Sequence, residues 1–271
     1  MPKVSVITIN YNDGNGLLKT IQSVVSQTLI DFEFIIIDGG STDNSTEVIN
    51  KYSDKINYWI SEKDRGIYDA QNKGISKASG DYLIFLNSGD SFFDNTVLAK
   101  FSEFANSIHK KVIYGNSNVI DADGSAKILC PPEKLDLNFW FSNTLNHQSV
   151  FTHHSFFKKY GNFSTHYKFA SDFEHLFKMF VKESAEFSHF NQVVCNYDNT
   201  GLTSKDEYHK FIIQERKQIL KQYLGNSEYN RIRSIYMNSL TFKRRCIEII
   251  RDNNFLRLTL KPFYKLYKNF N

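Results

Sequence analysis

A chain of 271 residues with an ordinary apolar fraction is long enough for one large α/β domain carrying a tail. No run approaches the roughly 18 uninterrupted apolar residues of a spanning helix, and a start of Met-Pro-Lys followed by a strand lacks the form of a signal peptide. The net charge of +4 is unevenly spread: residues 228–271 hold ten Lys/Arg against three Asp/Glu, which leaves −3 over the first 227 and argues against a nucleic-acid-binding core.

Val4 to Ile9 is β-branched and mostly apolar, a central strand that breaks at Asn10-Tyr11-Asn12-Asp13-Gly14. Leu17, Leu18, Ile21, Val24 and Val25 follow at helical spacing, the stripe of a helix that covers a sheet. Phe32 to Ile37 is a second strand, ending in Asp38-Gly39-Gly40-Ser41-Thr42-Asp43. Ser41 to Ser45 offers N-cap residues for the next helix. Ile56 to Ile60 predicts a short third strand, and Ile67 to about Ala78 a helix that opens after Asp64-Arg65-Gly66. Tyr82 to Leu86 is a buried strand that hands the chain to Asn87-Ser88-Gly89-Asp90. Strand–helix alternation of this kind predicts parallel strands joined by crossovers.

The alternation then loosens. Val97 to Ile108 reads as a helix, Val112 to Tyr114 as a strand, and Asp121-Ala122-Asp123-Gly124 as a turn between Asn116–Ile120 and Ser125–Leu129. Phe139 to Phe157 is rich in aromatics and carries His147, His153 and His154, the last two without ligand spacing. Ser171 to Val181 reads as a helix, Gln192 to Tyr197 as a strand, and Lys205 to Tyr223 as a long amphipathic helix. Cys130, Cys195 and Cys246 are scattered without metal-ligand spacing and read as reduced thiols of a cytoplasmic protein.

In an open α/β sheet, ligands bind beyond the carboxyl ends of the strands. The polar strand ends at Thr8–Asn12, Asp38–Asp43 and Asn87–Asp90 are therefore the candidate site. Gly-x-Gly-x-x-Gly, Gly-x-x-x-x-Gly-Lys-Ser/Thr and Gly-x-Ser-x-Gly are all absent. The order Val-Ser-Val-Ile-Thr-Ile-Asn-Tyr-Asn, Ile-Ile-Asp-Gly-Gly-Ser-Thr-Asp, Ser-Glu-Lys-Asp-Arg-Gly-Ile-Tyr-Asp-Ala-Gln-Asn-Lys-Gly-Ile and Gly-Asp-Tyr-Leu-Ile-Phe-Leu-Asn-Ser-Gly-Asp resembles the ordered motifs of family 2 glycosyltransferases, over residues 4–90 and more loosely to about Ser204. The third and fourth motifs look most like the bacterial members that build surface polysaccharides.

The resemblance implies a GT-A fold: a Rossmann-like, mostly parallel central sheet flanked by helices, with a C-terminal helical extension. It divides the chain into a catalytic domain over 1–227, with 1–115 the nucleotide-sugar half and 116–227 the acceptor half, and a tail over 228–271. It implies an inverting transferase that moves a sugar from a nucleoside diphosphate sugar, UDP-linked by expectation, to a hydroxyl of a glycan or a polyprenyl-diphosphate-linked acceptor. Thr8, Asn10, Tyr11, Asp38, Asp64, Arg65, Gly66, Asp69, Asn72, Lys73, Asn87 and Ser88 map to the nucleotide-sugar pocket, with Asp38 on the base edge. Asp90, the one carboxylate left in the family's Asp-x-Asp position, maps to a Mg²⁺ or Mn²⁺ that bridges the diphosphate. Asp172 maps to the general base, with Glu174 as the other candidate. His147 and Gln148 map to the acceptor or sugar pocket, and Gly201–Ser204 to a closing loop.

Two other readings stay open at this stage. A sugar-1-phosphate nucleotidyltransferase would need an early Gly-rich basic loop, which Tyr11–Gly14 matches poorly. A non-catalytic sugar- or lipid-binding module would tolerate the eroded Asp-x-Asp. In the tail, basic residues alternate with Phe, Leu and Tyr, as at Phe255-Leu256-Arg257-Leu258. That pattern suits either an anionic membrane surface at the inner face of the plasma membrane or packing on the domain or on a homodimer partner.

Overall fold

A computed structural model of the chain describes residues 3–201, 206–241 and 244–245. They fall into two compact units, one within Met1–Leu135 and Thr144–Ile219, the other within Asp136–Asn143 and Leu220–Asn271.

The first unit begins with the alternation that the sequence predicts: β1 (Val4–Asn10), α1 (Gly14–Val25), β2 (Phe32–Asp38), α2 (Ser45–Lys51), β3 (Tyr58–Ser61), α3 (Ile67–Lys77) and β4 (Tyr82–Phe85). These four strands lie in the order β3-β2-β1-β4, all parallel. Val6, Ile7 and the run Phe34–Ile37 have no exposed surface, as expected of parallel strands covered on both faces. On α3, Gly74 sits so near the sheet that a Cβ there would come within 2.4 Å of the Ile7 side chain. The glycine lets this helix lie close against β1.

After β4 come β5 (Ser91–Phe92), α4 (Val97–Ile108), β6 (Val112–Ile120), β7 (Ala126–Leu129), α5 (Leu137–Ser142), β8 (Val150–His153), α6 (His154–Tyr160), α7 (Ser171–Glu183), β9 (Phe187–Asp198) and α8 (Asp206–Ser239). The sheet continues as β4-β8-β6-β9-β5, with β7 paired to β6. In this half β6 and β9 are parallel and the other pairs antiparallel. The short strand at Val112–Tyr114 and the first arm of the expected hairpin are one strand, β6. The last strand begins at Phe187 rather than Gln192, because pairing with β6 recruits polar residues that periodicity cannot assign. The last helix extends past Tyr223, interrupted at Gly225, whose φ of +75° is non-helical.

In the second unit, Phe141 of α5 stacks on Tyr229 at 5.3 Å between ring centroids, with Trp140, Tyr229 and Ile232 buried. Among the described residues no helix is long and apolar enough to cross a membrane. Most of the basic, aromatic stretch of the tail, including Phe255–Leu258, lies outside the described residues.

Candidate active site

The chain adds strands outward from β1 to β3, then returns to place β4 on the other side of β1. Ligands in open α/β sheets bind at such a switch point, outside the carboxyl ends of the two diverging strands. Asn10 ends β1, Asp38 ends β2 and Asn87 follows β4, so the sequence motifs gather at this edge.

Asp38 is the structural pivot of the edge. It is wholly buried. Its Oδ1 accepts from Asn10 Nδ2 at 2.7 Å and Ser41 Oγ at 2.5 Å, and its Oδ2 from Ser41 N at 2.9 Å and Ser61 Oγ at 2.5 Å. Burial pushes its carboxyl up, but the hydroxyls of Ser41 and Ser61 and its other donors outweigh that and hold it below the ordinary carboxylate range. With these four donors Asp38 ties the ends of β1, β2 and β3 together. Thr8 is also wholly buried and spends its hydroxyl on the Leu86 carbonyl at 2.8 Å, so it ties β1 to the end of β4 instead of lining a pocket. Asn10 Nδ2 also donates to Ser45 Oγ at 2.9 Å, which binds the start of α2 to the same network.

The open surface lies one residue further on. Tyr11 is two-thirds exposed, a large aromatic ring at the strand end. A Cβ placed on Gly39 would meet the Tyr11 ring at 3.2 Å and Asp64 Oδ2 at 2.5 Å. The absence of a side chain at the buried Gly39 thus lets an aromatic ring and a carboxylate oxygen meet closely at the strand end. The other Asp64 oxygen accepts from Gly66 N at 2.8 Å, and Gly66 has a φ of +115°, a turn into α3 that favours glycine. Arg65 is exposed and reaches Asp69 at 2.8 Å; Asp69 also lies 4.0 Å from Lys73, which pairs with Glu62 at 2.8 Å. The Asn72 amide exchanges two hydrogen bonds with the backbone of Phe163, at 2.8 and 2.9 Å, and so anchors the loop after α6.

The turn after β4 is clamped from α1. Thr20 Oγ1 donates to the Asp90 carbonyl at 2.6 Å and Lys19 Nζ to the Gly89 carbonyl at 2.8 Å. Ser88 Oγ bonds to Asp13. Asp90 is almost wholly buried, where the sequence placed it at an open edge. Its two oxygens accept from Asp198 N at 2.9 Å and Gln148 Nε2 at 3.1 Å. Burial pushes its carboxyl up to about 6, against the Asp198 N–H and Gln148 that stabilise the charge. Gln148 is itself buried and spent on Asp90, so it belongs to this turn and not to an acceptor pocket. Gly89, at φ +92°, leaves room beside it: a Cβ would lie 3.5 Å from Asp198 Oδ2 and 3.7 Å from Asp13 Oδ2.

No three Asp, Glu, His or Cys side chains among the described residues form a ready metal-binding group. The donors around Gly89 are nevertheless all hard oxygens. Asp90 keeps one lone pair on each oxygen after its two hydrogen bonds. That set fits a Mg²⁺ or Mn²⁺ that draws most of its ligands from a diphosphate and water.

Asp172 stands in the first turn of α7. Its Oδ2 lies 3.0 Å from His147 Nδ1, and its Oδ1 accepts from the Tyr68 hydroxyl at 3.0 Å. His147 turns its other ring nitrogen, Nε2, to Asn87 Nδ2 at 3.2 Å. Burial raises the Asp172 carboxyl, but hydrogen bonds from His147, the Phe173 N–H and Tyr68 bring it below the ordinary range. Asp172 therefore stays ionised at neutral pH, as a proton acceptor requires. Glu174, the other candidate, is buried with Lys178 3.6 Å away on its own helix.

Residues far apart in sequence therefore meet. Asn87, His147 and Asp172 form one hydrogen-bonded line, and Gln148, adjacent to His147, holds Asp90. Sequence reasoning missed Tyr68, which sits in an apolar stretch of α3, and Asp198, at the end of β9. It also missed Glu215 of α8, which accepts backbone N–H groups from Lys168, Phe169 and Ala170, each at 2.9 Å, in front of Asp172. Glu215 lies 45 to 47 residues along the chain from these groups, so no local pattern marks the contact.

Solved structures share this architecture. TarS 1–349 of S. aureus in complex with UDP-GlcNAc matches with a TM-score of 0.62 at 17% identity, over 90% of this chain and 77% of that one. The mannosyltransferase PcManGT of Pyrobaculum calidifontis, in complex with GDP-Man and Mn²⁺, matches with a TM-score of 0.57 at 16% identity, over 83% of this chain and 64% of that one. At these identities the likeness concerns the fold, which is the GT-A glycosyltransferase fold. In sequence, an uncharacterised glycosyltransferase of Mycobacterium tuberculosis is 33% identical over 211 residues, 76% of this chain and 79% of the relative. The sequence model of glycosyl transferase family 2 matches residues 5–164, and the chain belongs to that family.

Proposed function

We propose that the protein is an inverting glycosyltransferase that moves a sugar from a nucleoside diphosphate sugar to a hydroxyl of a glycan or lipid-linked acceptor in surface polysaccharide synthesis. The observation that carries this reading is the joining of Asp172 through His147 to Asn87, with Asp90 one turn further on. A proton acceptor thus faces the strand end where a diphosphate would sit. Asp172 takes the acceptor's hydroxyl proton while that oxygen attacks the anomeric carbon. The bond from that carbon to the diphosphate breaks, and its electron pair leaves with the nucleoside diphosphate. A Mg²⁺ or Mn²⁺ at Asp90 would offset charge on the departing diphosphate; the Mn²⁺ bound with GDP-Man in PcManGT supports a divalent ion in this fold.

For the nucleotide, Tyr11 and Asp64, which meet beside Gly39, are the proposed base contacts. The Tyr11 ring offers a stacking face and Asp64 an acceptor for a ring N–H. Uracil and guanine carry such a ring N–H on that edge and adenine does not, so UDP- or GDP-sugars are favoured; the UDP-GlcNAc and GDP-Man bound by the two fold relatives support both. The test is thermal unfolding of the full chain with UDP, GDP or ADP, with and without Mn²⁺. UDP or GDP at about 100-fold over its Kd should stabilise by about 2.7 kcal/mol. The Mn²⁺-dependent part of that gain should vanish in Asp90→Ala. Equal stabilisation by ADP, or an Mn²⁺ effect that survives Asp90→Ala, would overturn the assignment.

A further inference from the structure

Both side-chain partners of Asp172 come from the donor side of the site. Tyr68 belongs to α3, the helix that opens at Asp64 and Gly66 beside the proposed base contacts. His147 sits in the single turn before β8, with its second nitrogen on Asn87, the first residue after β4's apolar run. Each partner takes a different carboxylate oxygen, at 3.0 Å, so the pair fixes both the position and the plane of the group.

We propose that Tyr68 and His147 are positioning residues that hold the Asp172 carboxylate in line, Tyr68 directly from α3 and His147 through its contact with Asn87 after β4, so that donor-side elements set the base together with its own helix. The inference rests on the reading of Asp172 as general base. The groups that face Asp172 are the Tyr68 hydroxyl from α3, His147 from the turn before β8, and the Phe173 N–H of its own helix. Burial and the neighbouring Asp172 charge push the Tyr68 phenol well above its ordinary range, so it remains a neutral donor at any working pH. His147 can present a proton to Asp172 from Nδ1 while Nε2 accepts from the Asn87 amide, an arrangement that selects one ring tautomer. The Asn in place of the family's first acidic residue suits this, since an amide can donate to the ring and a carboxylate cannot.

Two measurements on the full chain test it. In the first, the Asp172 carboxyl carbon is followed by ¹³C NMR in a pH titration and assigned through Asp172→Asn. It should titrate below the ordinary aspartate range in the native chain. It should move upward in Tyr68→Phe and in His147→Ala, and return part of the way in His147→Asn, whose amide can reproduce the Nδ1 donor. In the second, release of nucleoside diphosphate is measured over a panel of UDP- and GDP-sugars with Mn²⁺. Tyr68→Phe and His147→Ala should lower kcat about 10–100-fold with donor KM nearly unchanged, and the acid limb of the rate profile should shift to higher pH. An Asp172 titration unmoved by both substitutions overturns the proposal. Undiminished turnover in Asp172→Asn would instead remove the base assignment and leave the titration result standing, so the two failures are told apart.

Discussion

A buried carboxylate that accepts four hydrogen bonds ties strand ends together, and that sets Asp38 apart from Asp64. Asp38→Asn puts an amide N–H against hydroxyl and backbone donors, and should cost about 2–4 kcal/mol. At roughly 2–4 °C per kcal/mol in a chain of this size, the melting temperature should fall by about 5–15 °C. Because the folded-state carboxyl is held low, its contribution is present above the ordinary aspartate range and lost as pH falls through the depressed value. The variant should therefore also flatten the acid limb of the stability profile. Asp64→Asn should leave the melting temperature nearly unchanged and weaken UDP binding about tenfold, the worth of a hydrogen bond to a charged group, as calorimetry would read it. A stable Asp38→Asn that loses only base discrimination would reverse these roles. The sequence presents both residues as an Asp after a strand with a Gly one or two positions on. Which of the two faces the ligand depends on neighbours from other strands, Ser61 and Asn10 for one and Tyr11 and Gly39 for the other.

At the scale of elements, α7 starts without a side-chain cap of its own: Ala170 occupies the cap position and makes no such bond. Glu215, from α8, ties down the segment that leads into α7 by accepting the backbone N–H groups of Lys168, Phe169 and Ala170. Arg216, the next residue, lies 4.5 Å over the Phe173 ring and adds a second tie between the same two helices. Glu215→Ala should therefore loosen the segment that carries Asp172. We expect a loss of about 1–2 kcal/mol in stability by chemical denaturation. We also expect a fall in kcat of about tenfold or more, with donor KM little changed. Glu215→Gln, which keeps one acceptor oxygen, should fall between. Unchanged kcat in Glu215→Ala would show that the α7 start is rigid without this tie. The helices themselves were legible, because apolar residues at 3.6-residue spacing mark α1, α3, α4 and α7. The tie was not, because a glutamate on an amphipathic helix carries no mark of the loop it will meet.

For the whole molecule, the deciding feature is the reversal of strand order about β1, which turns three separate polar strand ends into one edge. The expected division at residue 227 and the expected membrane contact of 228–271 concern the other end of the chain. We propose that the basic and aromatic residues there bind an anionic bilayer at the cytoplasmic face, where a polyprenyl-linked acceptor would be held. Ten Lys/Arg in this stretch, at about 1 kcal/mol each near an anionic surface, are ample for salt-sensitive binding. Sedimentation with phosphatidylglycerol vesicles should carry down the full chain at low salt and leave it in solution at high salt. A chain ending at residue 241 should stay in solution throughout; equal sedimentation of both would discard the tail as the anchor.

The sequence by itself determined the alternation of strands and helices up to β4, the helical faces, and the polar strand ends, since these follow from local periodicity and turn chemistry. It also determined the family, through the order of four short motifs. Only the tertiary structure decided which polar residues are spent on one another. Asp38, Thr8, Asn72 and Gln148 turn inward to satisfy buried partners, because a buried polar group without a partner is costly, while Tyr11 is left exposed and Asp64 half-buried. It also decided that Asp172 is held by a tyrosine 104 residues away and a histidine 25 residues away. No local pattern encodes those distances, since they arise from strand pairing across the whole sheet.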